Sequence, residues 1–169
     1  TGNPLCSKFC CMYSIKQNQL IMGSLPLADV TMHYMDMRAS GKRYDEFYEQ
    51  AKDMGAVYIK GRVSQITEQE NGDLVLRYED IENGGGIVEA EYDLVVLAVG
   101  IQPNRDVERL FVDADLGLDE YAYVAEPSEN LDPGQTDIPG VFVAGTAAGA
   151  KDIVDTILHA GAAVAQVAA

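Results

Sequence analysis

Apolar positions along the chain follow two periods, and the changes between them outline the elements. From Cys6 to Met22, the residues Phe9, Met12, Tyr13, Leu20 and Met22 form a moderate apolar face, which predicts a helix that Leu25-Pro26 ends. The stretch from Asp29 to Arg38 reads as a strand, apolar on both faces as if covered on both sides by helices, and Gly41 breaks it. Tyr44, Phe47, Tyr48, Ala51 and Met54 fall at helical spacing and predict the clearest helix, with Gly55 as its stop. A short strand is expected over 57–59. Strands over 62–67 and 74–78 flank Asn71-Gly72, a strong hairpin signal. Asn83-Gly84-Gly85-Gly86 turns the chain into a further strand over 87–91. Asp-Leu-Val-Val-Leu-Ala-Val, residues 93–99, predicts a fully buried strand ended by Gly100. An irregular stretch runs to Pro139, a last buried strand over 141–144 ends at Gly145, and a helix over 151–167 closes the chain. That helix carries Ile153, Ile157, Ala160 and Val164 on one face, and Gly161 permits close packing against a neighbour.

The order is helix, strand, helix, strand, antiparallel meander, strand, long loop, strand, helix. It predicts the α/β class, as a Rossmann-like three-layer fold with an antiparallel β-meander inserted. A doubly wound domain normally opens on a strand, and none precedes the first helix. The expectation is that the first strand lies upstream, outside this chain. Residues 1–100 then form one domain that lacks its first strand, and residues 101–169 form part of a second.

Charge narrows the class of partner. Twelve Lys and Arg face 27 Asp and Glu, a net charge of -15, so the surface repels phosphate backbones and nucleic acid is not an expected partner. No run of 18 apolar residues spans a membrane. Cys6, Cys10 and Cys11 are an odd, tightly spaced set, which suits a cytoplasmic metal or redox role better than a secreted disulfide framework.

Two segments carry a resemblance. Glu91 to Asn104 (Glu-Tyr-Asp-Leu-Val-Val-Leu-Ala-Val-Gly-Ile-Gln-Pro-Asn) and Thr136 to Gly145 (Thr-Asp-Ile-Pro-Gly-Val-Phe-Val-Ala-Gly) resemble the paired motifs of two-dinucleotide-binding flavoproteins such as thioredoxin reductase. That pyridine-nucleotide-disulfide-oxidoreductase type implies that the first motif leads back to the FAD domain. The second brings the chain to the flavin, followed by a helix whose N-terminus faces the isoalloxazine ring. Gly100 and Gly145 end buried-looking strands, where backbone approaches a ligand closely. The implied contacts are Gly100, Gly145, Thr146, Lys151, Asp152 and Ile153. The family usually has Asp where this chain has Thr146, so a ribityl contact there loses its carboxylate. A lysine is usually solvated; at a helix start, Lys151 is electrostatically misplaced unless an anion such as a reduced flavin faces it. No Gly-x-Gly-x-x-Gly occurs, so the pyrophosphate half of FAD has no binding loop in the chain, and weak or no FAD binding is expected of it alone.

Cys6-Ser-Lys-Phe-Cys10-Cys11-Met-Tyr-Ser-Ile-Lys-Gln17 closely resembles the cysteine-rich segment of the A-subunit of heterodisulfide reductase and its relatives. The likeness continues through Asp36-Met-Arg38, Phe47-Tyr48, Gly61-Arg62-Val63 and Ala150-Lys-Asp-Ile153. It implies that Cys6, Cys10 and Cys11 bind a [4Fe–4S] cluster whose fourth ligand comes from a preceding strand. Thiolates are what such clusters need. With Cys6 and Cys10 one helical turn apart and Cys11 adjacent, three sulfurs converge near one helix start, whose positive end favours thiolate. Cysteines are also often simply buried. The cluster motif occupies the place of a nucleotide-binding loop. Asp36 sits where a ribose-binding acid would be, and a surface role suits it better. His33 reads as a satisfied core residue, and His159 receives no role.

The leading reading is part of an electron-transferring FAD and iron–sulfur subunit. The resemblance implies flavin-based electron bifurcation, with other heterodisulfide reductase subunits and an electron-donating hydrogenase or dehydrogenase as partners, and it allows a homodimer. An NAD(P)H-dependent disulfide reductase is the alternative, but the redox-active Cys-x-x-Cys and the nicotinamide loop it needs are not in the sequence. A cofactor-free docking domain is the third.

Overall fold

A computed structural model describes residues 3–110 and 115–168 of the chain. It is mixed α/β, with a four-stranded sheet in the order β1-β2-β3-β4. The elements are α1 (Cys10–Ser24), β1 (Thr31–Tyr34), α2 (Tyr44–Asp53), β2 (Val57–Glu68), β3 (Leu74–Asp80), β4 (Gly86–Tyr92), the short α3 (Val107–Leu110) and α4 (Ile153–Ala168). Contacts group the chain into two compact units. One is Cys10–Val99; the other joins Thr1–Phe9 to Gly100–Ala169.

In the unit Cys10–Val99, β1 runs parallel to β2 with Thr31 opposite Val57, and β2, β3 and β4 form the expected antiparallel meander. The expected strands over 57–59 and 62–67 are one continuous strand. Its first four residues pair with β1 and those from Gly61 to Glu68 with β3, apart from a bulge at Ser64, so the meander is not separate from the parallel pair. Gly61 allows the change of partner: a Cβ there would collide with the Glu79 carbonyl of the facing strand. The Asn71-Gly72 turn closes the β2–β3 hairpin with Gly72 at φ +92°, a conformation glycine adopts without steric cost. Ile15 of α1 and Ala51 of α2 are fully buried, and Leu76 and Tyr78 contribute from β3. Both helices meet the sheet at Tyr58: Asn18 Nδ2 donates to its hydroxyl at 3.1 Å, and the Tyr48 ring lies edge-on to it at 4.9 Å. His33 is partly buried against Tyr78 and hydrogen-bonds the Tyr92 hydroxyl at 3.0 Å through Nε2, while its Nδ1 meets no hydrogen-bond partner among the described residues.

The predicted strand over 93–99 is absent. Past β4 the chain is irregular, and Leu94, Val96, Leu97 and Val99 are 75%, 61%, 67% and 66% exposed. An extended segment becomes a strand only when a neighbour accepts its backbone hydrogen bonds. Here β1 pairs with β2, and the pairings among the described residues leave 93–99 outside the sheet. The Tyr13 hydroxyl anchors the end of the segment by donating to the Val99 carbonyl at 2.6 Å.

In the other unit, the predicted strand over 141–144 reduces to a single bridge between Gln135 and Phe142. Tyr123, Val124, Val143 and Ala163 form its small core. The predicted apolar face of α4 faces out: Ile153, Ile157 and Val164 are exposed, whereas His159 and Ala163 are the buried positions. Nothing lies against Gly161 among the described residues.

Candidate functional site

The second glycine motif ends in a built turn. Gly145 has φ +70° and opens a 3-10 turn, Gly145–Ala147. A Cβ at Gly145 would sit 2.9 Å from the Thr156 methyl, so both backbone angle and packing require glycine. Asp152 caps α4: its Oδ1 accepts the Asp155 N–H at 2.8 Å, and its carbonyl accepts the Thr156 N–H at 2.9 Å. The N–H groups of Ile153 and Val154 have no acceptor within the helix. Lys151 stands two residues before α4, outside its first turn, which changes the electrostatic argument. Asp152, just before α4, and Asp155 in its first turn place carboxylates at the positive end of the helix. Thr146 is exposed.

Beneath this turn lies a Glu–His pair that sequence reasoning missed. His159 Nε2 is 2.8 Å from Glu126 Oε1, with side chains 6% and 7% exposed, and Gly145 N–H donates to His159 Nδ1 at 3.1 Å. Glu126 Oε1 also accepts the Gly134 N–H at 2.6 Å. In the sequence, His159 is a lone histidine on a helix, and Glu126 lies 33 residues away in an irregular stretch. No spacing signal joins them.

Of the cysteines, Cys6 lies outside α1, which starts at Cys10 rather than at Cys6. The step from Cys6 to Cys10 is therefore not a helical turn: Lys8 has φ +64°, a left-handed angle that helices exclude. Cys10 and Cys11 occupy the first two positions of α1. Cys11 Sγ accepts the Arg38 N–H at 3.4 Å and lies 3.8 Å from the Asp36 carbonyl, which ties the start of α1 to the loop after β1. Asp36 is on the surface and pairs with Arg38 at 2.8 Å. None of the three cysteines is joined in a disulfide. Among the described residues, no group of three or more His, Cys, Asp or Glu side chains stands together as a metal site.

Two further residues of the cysteine motif bind elsewhere in their own unit. Lys8 N–H donates to Cys6 Sγ at 3.3 Å, and Lys8 Nζ pairs with Asp155 in the first turn of α4 at 2.9 Å. The hydrogen bond to Asp155 raises the Lys8 pKa, against a smaller opposing effect of burial. Ser7 Oγ accepts the Ile101 N–H at 3.1 Å and fills the space a Cβ on Gly100 would need. The room that Gly100 provides is thus taken by the chain itself. Lys8, Lys151, Glu126 and His159 line a cleft of about 580 Å³ in this unit.

No protein-family model matches the chain. Curated relatives match it almost from end to end. The A-subunit of the H(2):CoB-CoM heterodisulfide,ferredoxin reductase of Methanothermobacter thermautotrophicus is 39% identical over 99% of this chain and 25% of its own length. An iron-sulfur A-subunit of the CoB--CoM heterodisulfide reductase of Methanopyrus kandleri is 40% identical over 98% and 25%.

The chain is homologous to the A-subunit of heterodisulfide reductase.

It spans about a quarter of the length of these relatives. They are oxidoreductase subunits by name. A solved thioredoxin reductase from Streptococcus pyogenes MGAS5005 matches 83% of this chain and 43% of its own, at 21% identity and a TM-score of 0.39. No helix among the described residues is long and apolar enough to cross a membrane.

Proposed function

We propose that this chain is the part of a heterodisulfide-reductase-type A-subunit in which an iron–sulfur segment meets the flavin-facing end of an FAD domain. The observation that supports it is Lys8, whose backbone binds the Cys6 sulfur and whose side chain binds the first turn of α4. One residue of the cysteine motif thus touches both a candidate cluster ligand and the candidate flavin helix.

The residues fit the isoalloxazine edge of FAD. The Gly145 turn has no room for a side chain, the N–H groups of Ile153 and Val154 have no helical acceptor, and Lys151 provides a cation beside them. Gly145, Thr146, Lys151, Asp152 and Ile153 form this edge, with Gly100 shaping the Ser7 contact. Cys6, Cys10 and Cys11 are three thiols of the donor type a [4Fe–4S] cluster takes, with the fourth ligand from the rest of the polypeptide. When bound, FAD supplies two-electron chemistry and the cluster one-electron transfer, the combination that electron bifurcation uses.

In this reading, Cys10–Val99 is a pyridine-nucleotide-type domain whose nucleotide loop has become the cysteine segment, and the unit from Gly100 onward closes the FAD domain. The exposed segment 94–99 and the exposed apolar face of α4 are covered by the remaining polypeptide, which makes up three quarters of the relatives' length. The partners are further heterodisulfide reductase subunits and a hydrogenase or formate dehydrogenase as electron source, consistent with the H(2)/formate-dependent naming of the Methanococcus maripaludis relative. The setting is cytoplasmic.

The test is the absorption spectrum of the full-length polypeptide purified without oxygen. Flavin bands with broad iron–sulfur absorption are expected. Flavin alone favours the disulfide-reductase alternative, and neither chromophore leaves a docking domain.

A further inference from the structure

Taken as whole residues, His159, Ser7 and Asn18 are the buried polar positions among the described residues, and Ser7 and Asn18 bond Ile101 and Tyr58. Both ring nitrogens of His159 are committed. Gly145 N–H donates to Nδ1, so Nδ1 carries no proton, and the proton on Nε2 is donated to the Glu126 carboxylate. Glu126 is held in turn by Gly134 N–H, and Gly134 has φ +86° where a Cβ would press on Ala163 of α4 at 2.8 Å. The chain Gly134, Glu126, His159, Gly145 thus fixes the tautomer of the imidazole and aims its acceptor at one backbone N–H. A histidine that merely fills a core has no need of an acceptor aimed at a left-handed glycine.

We propose that His159 is a positioning residue which, oriented by Glu126, fixes the Gly145 backbone and so sets the flavin-facing turn Gly145–Ala147. The flavin part of this inference rests on the function proposed above. The Gly145–His159 bond is buried and the His159–Glu126 bond partly buried, so at Gly145 water is a poor substitute for the imidazole. Replacing the ring with an apolar group leaves the Gly145 N–H and the Glu126 carboxylate without their partner at one stroke.

The experiment uses the full-length polypeptide with three substitutions. His159→Leu removes both bonds. His159→Gln keeps a donor toward Glu126 but places no acceptor at the Nδ1 position. His159→Asn restores that acceptor, because its Oδ1 is as many bonds from Cα as Nδ1 is. Two quantities are read: hydrogen exchange at the Gly145 amide, and the circular dichroism and midpoint potential of bound flavin. Exchange at Gly145 should be on the order of tenfold faster in the Leu and Gln variants and nearer to wild type in Asn, which keeps the acceptor for Gly145 but not the bond to Glu126. The flavin signals should shift in the same two variants and recover in Asn. Unchanged Gly145 exchange in both Leu and Gln overturns the inference. Faster exchange with unmoved signals from fully bound flavin reduces His159 to a structural residue and overturns it equally. If Leu does not fold, Gln and Asn still decide. A wild-type polypeptide without flavin refutes the functional reading instead, and the exchange data then settle by themselves whether His159 holds Gly145.

Discussion

Replacing Gly100 with alanine tests whether the cysteine segment is seated by the absence of a single methyl group. Gly100 is not among the glycines with positive φ, so alanine meets no backbone strain there, and its effect has to come from contact. The added Cβ collides with Ser7 Oγ, the acceptor of the part-buried Ile101 N–H at 3.1 Å. Ser7 must move, which breaks that bond and disturbs a side chain only 9% exposed. The lost bond costs about 1 kcal/mol and the overpacking about 1–3 kcal/mol, so destabilisation of about 2–4 kcal/mol is expected. Ser7→Gly alone loses the bond and leaves a small hole, at about 1–2 kcal/mol. In the double variant the methyl occupies the space the hydroxymethyl vacated. The pair should therefore be less destabilised than the sum of the singles by about 1–3 kcal/mol. Urea denaturation of the four proteins gives the cycle. Strict additivity would refute the claim that Gly100 exists to admit Ser7.

Three further outcomes follow from the geometry. Burial, followed by the hydrogen bond with Tyr34, pushes the Tyr48 pKa up from 10.0 to about 12. The unfolded chain releases that proton first, so stability should fall as pH rises from 10 to 12, and Tyr48→Phe should flatten the slope in denaturation midpoints taken across that range. Asp152→Ala removes the cap of α4 and should cost about 1 kcal/mol, whereas Asp152→Asn should retain most of it; thermal unfolding of the two variants compares them. Lys151→Ala in the full-length polypeptide should lower the flavin potential by the equivalent of about 1 kcal/mol, because reduced flavin loses a nearby cation. Potentiometry reads this, and an unchanged potential with FAD fully bound returns Lys151 to the solvated lysines.

Features that depend on neighbours in sequence were legible without the fold. Helix α2 follows from Tyr44, Phe47, Tyr48 and Ala51 at helical spacing, and the β2–β3 hairpin from Asn71-Gly72, because periodicity and turn chemistry are local. The cysteine trio and the glycine motifs were visible for the same reason: residue type and short spacing carry them. What the tertiary structure decided are contacts across the sequence. The stretch 62–67 looks independent of 57–59 until Gly61 lets the Glu79 carbonyl approach and one strand serves two partners. Residues 94–99 have the composition of a buried strand, yet burial requires an adjacent strand that composition cannot provide. Cys6 sits at helical distance from Cys10 in sequence, but the left-handed angle at Lys8 keeps it out of α1 and directs Lys8 to Asp155, 147 residues away. His159 gains its role only when folding brings Glu126 and Gly145 to its two nitrogens. Hydrogen bonds of that kind depend on distance in space, and no pattern along the chain encodes it.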